Sequence, residues 1–241
     1  MSYTSLGTAP APDTQEHGKI VASNGWSYQL TADDILWLAR SVDFEGGSSP
    51  AGVIWTYAQR YAIPNIHRLY PTFASLVRAH SQPVNPKWAR DGALCRPGGP
   101  YAGKPECSEA KLARRDRAQS IPWDEIGPRV RDLVTQFSHA QLDNPVPRSV
   151  EFAAASLSAR YLSNYPTARL VLKAGNWFIA TAQSLLWPEN HVSVHFNGAQ
   201  SRDGGASGGA GGGISGGISG GMIAFAVFAA AAGLYVWRSR S

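Results

Sequence analysis

Residues 33–60, DDILWLARSVDFEGGSSPAGVIWTYAQR, hold two helix patterns that meet at a Gly-Gly break, with one carboxylate, Glu45, at the joint. Ile35, Leu38, Ala39 and Val42 fall at i, i+3, i+4 and i+7, one face of a helix. Glu45 lies on that same face, where a charge costs free energy unless it has a partner or a task. Gly46-Gly47 suits a helix C-terminus, where positive φ is common. Ser49-Pro50 reads as N-cap and first turn of a second helix, with Ile54, Ala58 and Tyr61 on one stripe.

The chain has 241 residues, 44% of them hydrophobic, enough for one substantial domain and an appendage. Only 16% are charged, low for a wholly soluble globule. The net charge of +5 favours acidic partners, among them anionic lipid and anionic wall polymers. There is no long Lys/Arg tract, and nucleic acid is not expected as a partner.

Residues 1–19 read as a disordered arm without a signal-peptide pattern. Asn24-Gly25 marks a turn within 20–30, and a third helix is expected at 67–80, with Phe73, Leu76, Val77 and His80 on one face. Residues 81–108 form a long Gly/Pro-rich loop, a length that in a compact domain goes with function or disorder. Its cysteines, Cys95 and Cys107, are either two free thiols or a bridge contributing about 3 kcal/mol. Residues 109–119 suggest a basic helix, either a solvated face or a contact for an anionic polymer. Helices are expected from Pro128 and over 149–162, and strands within 168–196, with Gly175-Asn176 as a turn.

Residues 20–200 are thus expected as the globular domain. A Gly/Ser-rich linker follows at 201–221, with a reach of roughly 25 Å. Residues 222–237, MIAFAVFAAAAGLYVW, carry no charge and read as a transmembrane helix of about 24 Å. Tyr235 and Trp237 fit an interfacial belt, and Arg238 and Arg240 in the basic tail 238–241 fit an anchor beyond it.

Glu45 is the leading candidate for chemistry. An apolar face and the negative end of a helix dipole both raise a carboxyl pKa, as a general acid at neutral pH requires. The alternative is a structural ion pair with Arg40 or Arg60. Asp43 points to another side of the helix, and nothing selects a second carboxylate from Asp91, Asp116, Asp124 or Glu151. An ordinary glycosidase needs two carboxylates. A single acid suits a reaction in which the substrate's own hydroxyl is the nucleophile. His191 and His195, which share a strand face with Ser193, make a weak metal pattern and read as structural. Neither P-loop, HExxH nor GxSxG is present, and no metal or cofactor is expected.

Leu38-Ala39-Arg40, Glu45, Trp55 and Gln59-Arg60 together resemble the bacterial cell-wall hydrolase family of spore-cortex-lytic enzymes. So do Asn144-Pro145-Val146-Pro147 and Ala174-Gly175-Asn176-Trp177-Phe178, while 81–88, SQPVNPKW, looks like a stretch of phage-encoded relatives. The resemblance covers roughly residues 30–182. It departs at Gln59, where the family has Asn, at Trp177, where it has His, and at Ser48-Ser49, where it has a second acidic residue. The resemblance implies a lysozyme-like α+β fold, mainly α with a small β element, here followed by a C-terminal transmembrane helix. It further implies cleavage of the MurNAc–GlcNAc bond of peptidoglycan by a lytic transglycosylase or muramidase. Glu45 would protonate the glycosidic oxygen and then deprotonate the muramoyl 6-hydroxyl, Ser41 would hold its carboxyl, and Tyr57, Gln82, Asn85 and Tyr101 would meet substrate. The expected partners are peptidoglycan, a lipid membrane through residues 222–237, and virion proteins if a phage uses the enzyme in infection or lysis. The expected location is a virion or bacterial inner membrane with the domain facing the wall. The competing readings are a non-catalytic membrane-anchored structural or wall-binding protein on the same fold and a tail-anchored adaptor gripping anionic lipid through 111–117.

Overall fold

Thr31 starts the first helix. Its hydroxyl accepts the N–H of Asp34 while the Asp34 carboxylate accepts the N–H of Thr31, and this reciprocal cap fixes α1 at Ala32–Glu45. In the computed structural model, which describes residues 10–196, the expected face of α1 is buried: Ile35, Leu38, Ala39 and Val42 all lie inside. Asp34 is also buried, and its carboxylate further accepts the N–H of Ala74 at 2.7 Å and the hydroxyls of Tyr28 and Thr31 at 3.0 and 2.8 Å. Gly47, at φ +50°, then turns the chain toward the second helix.

That second helix, α2, runs Pro50–Tyr61 and is buried at every position except Ala51. It is a core helix, not the one-stripe helix that its aliphatic spacing suggests. The difference lies in its polar residues, which find partners far along the chain. Gln59 Nε2 donates to the carbonyls of Val146 and Ser149 at 2.9 and 3.0 Å. Arg60 Nε donates to the Val150 carbonyl at 2.8 Å, and its guanidinium pairs with Glu151.

The single helix expected at 67–80 is two: α3, Ile66–Leu69, and α4, Phe73–His80. Pro71 has no N–H to donate and forces Tyr70 into an extended conformation. Thr72 and Ser75 then cap α4 reciprocally.

Residues 81–108 are ordered around a bridge between Cys95 and Cys107, whose Cα atoms lie 5.5 Å apart. Trp88 and Tyr101 pack on the bridge and on Leu112, their rings 4.9 Å apart. Helix α5, Glu109–Ser120, is not simply a solvated basic face. Arg115 is buried, donating to the carbonyls of Trp88 and Glu106 at 3.2 and 2.8 Å with its guanidinium 5.0 Å over the Trp88 ring. Arg114 donates to the Phe44 carbonyl at 2.7 Å. Because this loop has a satellite core but no sheet, reduction of the bridge is expected to cost about 3 kcal/mol. The check is urea unfolding with and without reductant, where the midpoint falls and the Trp88 region loses amide protection first.

Helix α6, Pro128–Ser138, packs Val134 and Phe137 inward. The strands are β1 (Lys19–Ala22), β2 (Ser27–Gln29), β3 (Glu151–Ala154), β4 (Arg169–Ala174), β5 (Asn176–Ala180) and β6 (Val192–His195), with a last helix, α7, at Ala155–Asn164. They form two antiparallel three-stranded sheets, ordered β2-β1-β6 and β3-β5-β4. The helix expected at 149–162 therefore begins with a strand, because Glu151–Ala154 pairs with β5. Residues 10–18, expected within a disordered arm, lie against the domain: Pro12 is buried, and Gly18 donates to the Ser138 carbonyl at 2.7 Å.

The expected fold class is corrected by these elements. Among the described residues the fold is α+β with two small sheets, one of which joins the first described strand to the last, where a single small β element was expected. Among the described residues no helix is long and apolar enough to cross a membrane. Residues 222–237, which carried the transmembrane expectation, and the linker 201–221 lie outside the described residues.

Candidate active site

Glu45 ends α1, and three elements converge on its carboxyl. From α2, the Tyr57 hydroxyl donates to Oε2 at 3.0 Å. From one turn earlier in α1, Ser41 reaches the same oxygen at 3.4 Å. From the end of α4, the backbone N–H of Gln82 donates to Oε1 at 2.9 Å. A fourth element holds the backbone behind it: Asn176, at the β4–β5 turn, donates to the Glu45 carbonyl at 3.1 Å. Gly175 has φ +72°, and a side chain there would collide with Ser48. Glycine at this turn lets the hairpin close against the loop after Glu45.

The carboxyl is partly buried yet keeps contact with solvent. Burial pushes its pKa up from 4.5 to about 7, against the opposing pull of the Tyr57, Gln82 and Ser41 donors and of the nearby Ser81 hydroxyl. No neighbouring carboxylate contributes. The Tyr57 hydroxyl is itself driven well above the usual phenol range by burial and then by Glu45, so it remains a neutral donor.

The ion-pair alternative for Glu45 is not what the side chains do. Arg60 is held by Glu151 and Val150. Arg40 donates to the Ile121 carbonyl at 2.9 Å and lies over Trp37. Among the described residues no cation pairs with Glu45.

Comparison with protein-family models, with curated proteins and with solved structures finds no match.

Of the residues expected at the site, Ser41, Tyr57 and Gln82 meet Glu45, but in roles other than substrate contact for the last two. Tyr57 is fully buried and positions the carboxyl. Gln82 acts through its backbone, leaving its side chain exposed. Asn85 donates to the Ala79 carbonyl at 2.8 Å and accepts from the Lys87 N–H at 2.9 Å, so it shapes the loop. Tyr101 belongs to the cluster over the Cys95–Cys107 bridge. The carboxylates considered as partners are engaged elsewhere or exposed: Glu151 with Arg60, Asp116 with Arg90, and Asp91 and Asp124 at the surface. Asp43 accepts the Gly127 N–H at 3.1 Å. His191 is a clip between segments, its Nδ1 2.6 Å from Ser23 Oγ and its ring stacked on Trp187. Among the described residues no group of three or more His, Cys, Asp or Glu could hold a metal ion.

Sequence reasoning missed Ser81 and the structural use of Asn176. Ser81 is fully buried directly behind Gln82. The signal for it was the end of an amphipathic helix at His80, which places the next residues at a helix C-terminus. Asn176 was visible only as a turn residue.

Proposed function

We propose that this protein cleaves the glycosidic bond of peptidoglycan as a lytic transglycosylase, with Glu45 as its single general acid and base. The observation that carries the reading is a partly buried carboxyl, poised near neutrality, held by Tyr57, Ser41 and the Gln82 N–H, with no cation among the described residues to neutralise it. The choice of substrate rests on the cell-wall hydrolase resemblance. Its segments are in mutual contact here: Gln82 and Asn176 both bond Glu45, and Gln59 bonds Val146.

In the protonated form Glu45 gives its proton to the glycosidic oxygen as the bond to C1 breaks. The resulting carboxylate, stabilised by the Tyr57 and Gln82 donors, then takes the proton of the muramoyl 6-hydroxyl. That oxygen bonds C1 and closes a 1,6-anhydro ring, and Glu45 returns to its acid form. One carboxyl suffices because no external water has to be activated. A pKa of about 7 balances the two demands, giving near neutral pH a supply of both forms.

The direct test is incubation of the purified chain with peptidoglycan and mass analysis of released muropeptides. Anhydro-muropeptides support the reading, reducing ends point to hydrolysis instead, and no release leaves a wall-binding protein. A second measurement addresses Tyr57. Removing its hydroxyl in Tyr57→Phe takes away a donor that lowers the Glu45 pKa. The alkaline limb of the rate profile is then expected to move up by about one pH unit, the size of one hydrogen bond to a charged group. An unchanged limb would mean that Tyr57 only packs.

A further inference from the structure

Two arginines lie over one indole on the partly exposed face of α1. The guanidinium carbon of Arg40 is 4.8 Å from the centre of the Trp37 ring, and that of Arg78, from α4, is 4.2 Å from it. The two charges are therefore no more than about 9 Å apart, near enough to repel each other. Neither forms an ion pair among the described residues. Arg40 commits only Nε, which donates to the Ile121 carbonyl. Arg78 donates no hydrogen bond among the described residues; its Nε is buried and takes no part, while its two Nη groups reach solvent. The Nη groups of Arg40 reach solvent as well. Burial chiefly lowers the Arg40 pKa; Asp33 opposes that shift and Arg78 adds to it. Asp33, one turn before Trp37, is exposed and pairs with neither arginine.

The pair stands beside the candidate active site. Helix α4 runs alongside α1 in the same direction, because the Ala74 N–H meets Asp34 near the start of α1 and the Gln82 N–H meets Glu45 at its end. Arg78 and Trp37 both fall between those two contacts. On the other flank α5 runs the opposite way, with Arg114 at the Phe44 carbonyl and Ile121 at Arg40. Trp37, Arg40 and Phe44 are spaced i, i+3 and i+7, one partly exposed stripe along α1. The Arg114 guanidinium lies 5.7 Å over Phe44, so the stripe carries positive charge up to the residue next to Glu45. At the rise of an α-helix, Trp37 is about 12 Å from Glu45. An extended peptide of four residues spans about 13 Å.

We infer that Arg40 and Arg78, laid over Trp37, form a subsite for a carboxylate of the peptide stem borne by the muramoyl residue at Glu45. The inference rests on the peptidoglycan reading given above. The stem hangs from the lactyl group of that sugar and carries free carboxylates along its length and at its end. A carboxylate accepts strong, charge-assisted N–H bonds from guanidinium groups, and one set between the two arginines relieves their mutual repulsion. The indole already holds both side chains in place, so little freedom is lost on binding. Phe44 offers the intervening stem an apolar floor. A stem whose carboxylates are amidated has no charge to offer and gains none of this. The subsite thus favours strands that still carry their peptides over strands that have been stripped of them.

The test uses the full chain carrying Glu45→Gln, so that binding is read without cleavage. A GlcNAc–MurNAc disaccharide bearing a tetrapeptide is titrated while the assigned indole N–H resonance of Trp37 is followed. The control is the same muropeptide with its peptide carboxylates amidated. The free-carboxylate form is expected to move the Trp37 resonance and to bind about tenfold more tightly than the amidated form, the effect of one hydrogen bond to a charged group. Adding Arg78→Gln is expected to remove that preference and to leave the affinity for the amidated form unchanged, which also shows that the variant is folded. The comparison of the two muropeptides needs no arginine variant, so it reports even if that variant fails to fold. Equal affinities for the two muropeptides, a preference that survives Arg78→Gln, a Trp37 resonance that stays still, or binding of neither muropeptide overturns the inference. Release of anhydro-muropeptides by the unmodified chain is measured separately. With release present, such a failure falls on the arginine subsite alone; with release absent, the reading of Glu45 fails with it.

Discussion

Glu45→Gln is expected to abolish bond cleavage and, above neutral pH, to make the protein more stable. Loss of a general acid typically costs 10² to 10⁴ in rate, and in the proposed reaction one group also serves as the base, so a loss of about a thousandfold or more is expected. The stability gain follows from the sign of the pKa shift. Glu45 titrates at about 7 in the folded chain and at 4.5 when free of it, so between those values the folded state binds the extra proton. The resulting stabilisation is complete below about pH 4.5 and is lost as the pH rises toward and through 7. Glutamine never ionises and escapes that loss. The expected gain at pH 8 is about 2 kcal/mol, less than the full shift implies because the carboxyl keeps contact with solvent. At pH 4.5 the two proteins should unfold at nearly the same urea concentration. On the proposed mechanism, cleavage rates of the unsubstituted chain should fall tenfold per pH unit well above 7. A variant less stable than its parent at pH 8 would show that the carboxylate is a structural ion.

Asp34→Ala is the substitution expected to damage the fold most. It leaves the buried N–H of Ala74 without its acceptor and takes the acceptor from the Thr31 N–H and from the hydroxyls of Thr31 and Tyr28, which solvent can partly replace. A loss of about 3 kcal/mol is expected, a large share of the stability of a domain of this size. Asp34→Asn retains one acceptor oxygen and should lose about half as much. Urea midpoints measure both, with an unchanged slope showing that the native state alone is affected.

How much of this was legible in the sequence depends on the distance over which each residue finds its partner. The face of α1 was legible because Ile35, Leu38, Ala39 and Val42 state it within two turns. Ser41 was legible beside Glu45 for the same reason, being one turn away. The burial of Gln59 and Arg60 was not, because the carbonyls that satisfy them lie some ninety residues on. The strand at Glu151–Ala154 reads as helix by composition, Glu and Ala being good helix formers, and only its pairing with β5 overrides that preference. The Gln82 contact was hidden differently: a backbone N–H is present at every residue except proline, so no sequence pattern announces which one will hold a carboxylate.

The ladder between β1 and β6 sets an order of events during synthesis. Lys19 is opposite His195 and Ala22 opposite Val192, so the earliest strand of the described residues is completed by the one made last among them. The helical hub around Asp34 can assemble while β1 still shows a bare edge to its surroundings. Until β6 emerges that edge is open to pairing with a neighbouring nascent chain. A ribosome stalled before residue 192 would therefore display a nearly complete hub beside an unsealed sheet, which makes the final few residues of the domain its safeguard against cross-chain pairing.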